Sequence, residues 1–197
     1  MTSKNERFAP LFTSAEDLHN NACVNWCHDP LALYATAYKE AAENLVKEVV
    51  NSHRNLDTFV YPIVFLYRQY IELRLKEIIR EGGKLLDEAG EFPMTHHVHK
   101  LWPLAKRIVE KVFENEDGKQ DFQFVEHVLA EFSKYDPESF SFRYPIDKKG
   151  NNPLLGLTHI NVRHLSETIN RLAEILEVAS DRVSIYRDWK NEMDSPI

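Results

Sequence analysis

Residues 61–83 read YPIVFLYRQYIELRLKEIIREGG. Starting just ahead of it, Val60, Ile63, Val64, Tyr67, Ile71, Leu75 and Ile78 recur at helical steps of three and four, so they share one face of a helix. Leu66, Tyr70 and Leu73 widen that face until little of the circumference is polar, which places the helix at the centre of a bundle. What remains polar is one stripe: Arg68, Glu72, Lys76 and Arg80 step by four. It reads as a solvated face with i,i+4 ion-pair support. The sharper alternative turns the stripe to an interface or a phosphate, with Arg68 and Lys76 as binding residues. Pro62 is tolerable near the helix start, and Gly82-Gly83 should stop the helix just past Arg80.

Upstream, Asp29-Pro30 reads as an N-cap followed by proline at the first helical position. Leu31, Tyr34, Ala35, Tyr38, Ala41, Ala42, Leu45 and Val49 carry that helix to about Ser52. Downstream, HKLWPL at 99–104 opens a third helix through Ile108 and Val112. A polar loop at 114–119 leads to a fourth, lined by Phe122, Val125, Val128, Leu129 and Phe132 and closed by Asp136-Pro137. SFSFRYP at 139–145 alternates like a half-buried strand, and IDKKGNN at 146–152 has turn chemistry, so a β-hairpin is expected there. Asn161 or Thr158 should cap a last helix whose apolar face runs from Val162 to Ala179 and whose pattern extends towards Trp189, past the bundle, with a break or bend at Ser180-Asp181. The expected fold is an all-α bundle of about five helices with one short β-hairpin inserted before the last long helix. The expected organisation is an N-terminal arm at 1–28 packing on the body, a helical domain at 29–180 and a C-terminal helical extension at 181–197.

Bulk properties narrow the class. The 197 residues fit one domain, and 43% hydrophobic with 28% charged residues is ordinary for a globular protein. The longest uncharged apolar run, 59–67, is too short to cross a bilayer. MTSKNERFAP lacks a signal-peptide core, so a cytoplasmic protein without a membrane partner is expected. Cys23 and Cys27 read as reduced thiols, with only His28 close enough in sequence to suggest a metal. A net charge of -7 argues against indiscriminate coating of nucleic acid, while leaving room for a local basic patch.

The segment IELRLKEII, with Glu72 four residues before Lys76, followed by His99, Leu101 and Leu104 at the next helix start, resembles the HEPN superfamily (higher eukaryotes and prokaryotes nucleotide-binding domain). FRYPIDKKG and HINVRHLSETINRL extend the likeness, which covers about residues 30–180. The resemblance implies a homodimer, a bacterial defence or stress context, a cognate protein partner, and RNA or nucleotide recognition. It also implies metal-independent endoribonuclease activity from an Arg followed after four to six residues by a His. No Arg–His pair in this chain has that spacing, so the family's catalytic pair does not carry over.

Metal-independent RNA cleavage needs a base for the 2′-OH proton and cations for the phosphorane charge. Arg143, His159 and Arg163 are the candidate catalytic residues, provided that the hairpin folds back on the last helix. Tyr144, Lys148, Lys149 and His164 are candidate binding residues beside them. The bland alternative makes Arg143 a brace for the hairpin and His159 a capping or packing residue. His99 is a candidate binding residue at its helix start. His96, His97 and His99 lack the further ligands of a stable metal site, so no metal or cofactor is expected. Tyr61, Phe65, Tyr67, Tyr70, Phe140 and Phe142 could stack bases but at these spacings read mainly as core. Two other functions fit the same chain: a non-catalytic helical dimerisation module using Ile185 and Trp189, and a small-ligand sensor with a pocket under the hairpin.

Overall fold

A computed structural model describes residues 10–27, 30–113 and 119–194. Among these residues are five α-helices, α1 (Pro30–Ser52), α2 (Leu56–Leu85), α3 (Val98–Val112), α4 (Lys119–Tyr135) and α5 (Val162–Asp194). Residues 1–30 cluster separately from Leu31–Ile197. In the first unit the one regular element among the described residues is a 3₁₀ turn at Leu18–Asn20. Asn21 closes the chain before it, its side chain accepting from Ala15 N and donating to Ala15 O. The expected contributions of residues 1–9, His28, Asp29 and the 114–118 part of the loop fall outside the described residues.

The all-α architecture follows from the periodicity. Helix α2 packs on both α3 and α5, and α4 packs on α3 and α5. Ile63, Tyr67, Tyr70, Ile71, Leu75 and Ile78 are fully buried, which makes α2 the central helix. Ala35, Ala42, Val46 and Val49 of α1 join the same core. Burial raises the Tyr67 pKa, a hydrogen bond with Ser166 of α5 opposes it, and Glu43 of α1 adds to the rise. No helix of the described residues is long and apolar enough to cross a membrane.

Three expectations are corrected. First, Gly82-Gly83 does not end α2, which continues to Leu85. A Cβ at Gly82 would run into Cγ2 of the buried Ile108, so Gly82 is there for the close approach of α3. The helix ends instead in a Schellman motif, with Asp87 at φ 55°, Glu88 N donating to Gly83 O and Asp87 N to Lys84 O. Gly82→Ala should therefore overpack the α2–α3 contact and cost about 1–3 kcal/mol in urea unfolding, whereas a glycine inside a helix with open space at its Cβ would gain about 1 kcal/mol on the same substitution.

Second, there is no strand among the described residues, and 139–160 is a chain of turns. Asp136 is fully buried, and its Oδ1 accepts from Phe140 N (2.6 Å) and Ser141 N (2.8 Å). Arg143 N and Tyr144 N both donate to Phe140 O, which is a helical turn. Phe140 and Tyr144 alternate with Phe142 at period two, but they are also four apart, and here their rings stack at 4.7 Å. Further on, Asp147 Oδ1 accepts from Lys149 N and Asn151 N, closing a separate turn with Gly150 at φ 85°.

Third, α5 is continuous through Ser180-Asp181. Residues 181–194 are no free extension: Val183 is fully buried, Arg187 pairs with Glu81, and Lys190 donates to Leu85 O (3.0 Å). Burial pushes the Glu81 carboxyl up, but hydrogen bonds from Lys84, Arg80 and Arg187 outweigh it and hold the group low.

Candidate functional site

The first turn of α5 begins the site. Asn161 is its cap, with Oδ1 accepting from His164 N (3.0 Å) and its carbonyl accepting from Leu165 N (2.9 Å). No acidic residue lies in that turn, so the positive end of a 33-residue helix keeps its charge. Asn161, Val162 and Arg163 line one side of a groove of about 920 Å³. Thr158 and His159 precede them on the same wall.

The turn chain at 141–145 supplies a second wall through Arg143 and Tyr144. Arg143 is held by its own neighbourhood: Nε donates to Ser139 O (2.6 Å), and the guanidinium lies 5.6 Å from the Phe65 ring centroid and 5.4 Å from that of Tyr144. With Nε and the plane of the group held in this way, Arg143 stays exposed and lines the groove.

The third wall is the α1–α2 turn with the start of α2, contributing His53, Asp57 and Tyr61. His53 and Asn55 both adopt left-handed backbone, at φ 54° and 60°, which histidine and asparagine tolerate better than most side chains. This turn brings a second helix N-terminus to the groove. The groove therefore collects Arg143, Arg163, His53 and His159 against Asp57, the one carboxylate among its described lining residues. In a chain of net charge -7 that is a local inversion of sign. Tyr61 (47% exposed) and Tyr144 (49% exposed) add aromatic surface beside it.

Arg143, His159, Arg163 and Tyr144 are thus brought together, although turns rather than a hairpin do the folding back. His164 is exposed on the next position of α5 and does not line the groove. Lys148 and Lys149 are exposed in the Asp147 turn, also outside the lining. Sequence reading missed His53 and Asp57; their one signal was a polar SHRN turn between two helices.

Arg68 and Lys76 lie elsewhere, and the solvated stripe is a buried one. Arg68 is fully buried, Glu72 is 2% exposed and Lys76 7% exposed. Glu72 is the hub: Oε2 accepts from Arg68 Nη1 (3.3 Å), Oε1 from Lys76 Nζ (2.8 Å), and His96 Nδ1 lies 2.9 Å from Oε1. Arg68 Nη2 also donates to His96 O, tying the α2–α3 connection to the core. Burial pushes the Arg68 pKa down, and Glu72 and Asp136 oppose it. Arg68 Nε and Asp136 Oδ2 are buried without a hydrogen-bond partner among the described residues. His99 is exposed at the α3 start, its ring 5.3 Å from that of His97. Partial burial lowers the His99 pKa, and the positive charges of His97, Lys100 and Arg68 lower it further. These groups make a structural lattice between α2 and α3. Among the described residues no group of three or more His, Cys, Asp or Glu is arranged to hold a metal ion.

No protein-family model, curated protein or solved structure matches the chain.

Proposed function

We propose that the groove binds single-stranded RNA and cleaves it without a metal. The observation that carries this is the gathering of two arginines, two histidines and the uncompensated N-terminus of α5 around one cavity in an otherwise acidic protein. Helix N-termini and arginine forks both favour phosphate. The exposed faces of Tyr61 and Tyr144 suit unstacked bases, which single strands offer and duplexes do not. Within this reading His159 takes the 2′-OH proton, and Arg143 and Arg163 balance the charge that builds on the phosphorane. The likeness of 30–180 to HEPN proteins points to the same class of ligand, with the acid–base chemistry set on a different pair of segments.

Binding is tested apart from cleavage with a fluorescent 2′-O-methyl oligoribonucleotide, which lacks the attacking hydroxyl. Charge-assisted hydrogen bonds are worth about 1.5–3 kcal/mol, so Arg143→Ala and Arg163→Ala should each weaken the anisotropy-measured affinity by about tenfold or more. Each should also flatten the salt dependence by about 0.7 in log–log slope. Wild-type protein that leaves the oligomer free at low salt removes the proposal.

A second reading concerns the far end of α5, where Ile185, Trp189 and Met193 are 47%, 56% and 79% exposed at steps of four. Such a stripe suits a homodimer. Ile185→Glu with Trp189→Glu should halve the mass seen by sedimentation; an unchanged mass rejects the dimer face. Deleting 181–197 is the poorer test, because Arg187 and Lys190 anchor that segment to α2.

A further inference from the structure

The groove holds one histidine that the cleavage scheme above leaves idle. His53 comes from the α1–α2 turn, whereas His159 comes from the approach to α5, more than a hundred residues later. His53 is exposed and makes no side-chain hydrogen bond to the described residues; its backbone N donates to Val49 O (3.0 Å), the last bond of α1. With a φ of 54° it is the left-handed residue that closes α1, and this turn sets His53 on the groove wall.

Transesterification of RNA requires two proton movements. As the 2′-oxygen forms its bond to phosphorus, a base removes the 2′ proton. As the bond from phosphorus to the 5′-oxygen breaks, an acid must protonate that oxygen, because an alkoxide is a poor leaving group. One histidine cannot stand on both sides of an in-line displacement. Two histidines on different walls of one groove can, since in each cycle one enters neutral and the other protonated.

We propose that His53 is the general acid of this site: it donates its ring proton to the departing 5′-oxygen while His159 accepts the 2′-OH proton. The products are a 2′,3′-cyclic phosphate and a 5′-hydroxyl, and proton exchange with water resets both rings. This assignment rests on the reading of the groove as a ribonuclease site. It differs from an arrangement in which arginine and histidine from one short motif do the chemistry, because the second proton carrier here is brought in by a helix hairpin remote in sequence.

The test compares two substrates. In an RNA oligomer the leaving group is an alkoxide that needs a proton. In uridine 3′-(4-nitrophenyl phosphate) it is a nitrophenolate that departs without one. Asparagine tolerates left-handed backbone, so His53→Asn removes the imidazole while keeping the turn. The variant should lose about 100-fold in RNA cleavage and far less in release of nitrophenolate. His159→Asn should lose both, with the circular dichroism of each variant matching wild type. His53→Asn that cleaves RNA at the wild-type rate overturns the assignment and leaves the ribonuclease reading standing. Equal losses on both substrates also overturn it, since an acid for the leaving group must act selectively. Wild-type protein inert towards both substrates overturns the ribonuclease reading and this assignment with it.

Discussion

Glu72→Ala is expected to destabilise the fold by about 3–5 kcal/mol, the cost of stranding a buried charge. The carboxylate faces Arg68 at 3.3 Å, Lys76 at 2.8 Å and His96 at 2.9 Å. Removing it leaves Arg68, fully buried, with Asp136 as the carboxylate still acting on it. The loss is a large part of the total for a domain whose stability falls in the usual range of about 5–15 kcal/mol. The cost belongs to the orphaned cation rather than to any large intrinsic worth of the pair. Removing charges together should therefore hurt less: Arg68→Met with Glu72→Leu and Lys76→Met should recover part of the stability, because buried ion clusters are often replaceable by apolar side chains of similar volume. The recovery is limited by the buried Asp136, which keeps its backbone donors but loses Arg68. Urea unfolding of the single and triple variants measures both. A Glu72→Ala loss below about 1 kcal/mol would mean that the stripe is as solvated as an ordinary surface helix face.

His159→Ala is expected to abolish RNA cleavage, with a loss of about 10²–10⁴-fold, the range for removing a positioned acid–base group. The residue is exposed on the groove wall and is not part of the buried core, so the variant should keep its helicity and urea midpoint. The variant should also bind the 2′-O-methyl oligomer almost as wild type does, since phosphate affinity resides mainly in Arg143, Arg163 and the N-terminus of α5. Separation of binding from turnover is what distinguishes an acid–base residue from a packing or capping one. His159 does not cap α5: Asn161 does.

The parts of this fold written in local periodicity were legible. The apolar face of α2, the α1 boundary at Ser52, the Asp136-Pro137 stop of α4 and the Asn161 cap all follow from spacing and side-chain chemistry. What was not legible depends on partners far away in sequence. The Arg68–Glu72–Lys76 stripe looked solvated because charges usually are, yet α2 is apolar around most of its circumference and packed by α3 and α5, so little solvent side remains. The stripe can be buried because Glu72 pairs with both cations at i,i+4 and Asp136 sets a second carboxylate near Arg68. Gly82 looked like a helix stop because Ile108, the reason for its missing side chain, lies on another helix. In 139–144 a period-two pattern and an i,i+4 pattern coincide, and the buried Asp136 carboxylate decides for the turn.

The candidate site was half legible for the same reason. Arg143, His159 and Arg163 were singled out by the chemistry of their side chains, and the groove does collect them. His53 and Asp57 were missed because only the α1–α2 hairpin, laid beside the start of α5, brings them to that cavity.

The most direct measurement is the fate of a 5′-labelled single-stranded RNA pool incubated in EDTA with wild-type protein and, in parallel, with His159→Ala, with the 3′ ends of the products analysed. The account predicts cleavage that persists in EDTA, yields 2′,3′-cyclic phosphate ends and disappears in the variant. Intact RNA with wild-type protein, or cleavage that the variant retains, would contradict it.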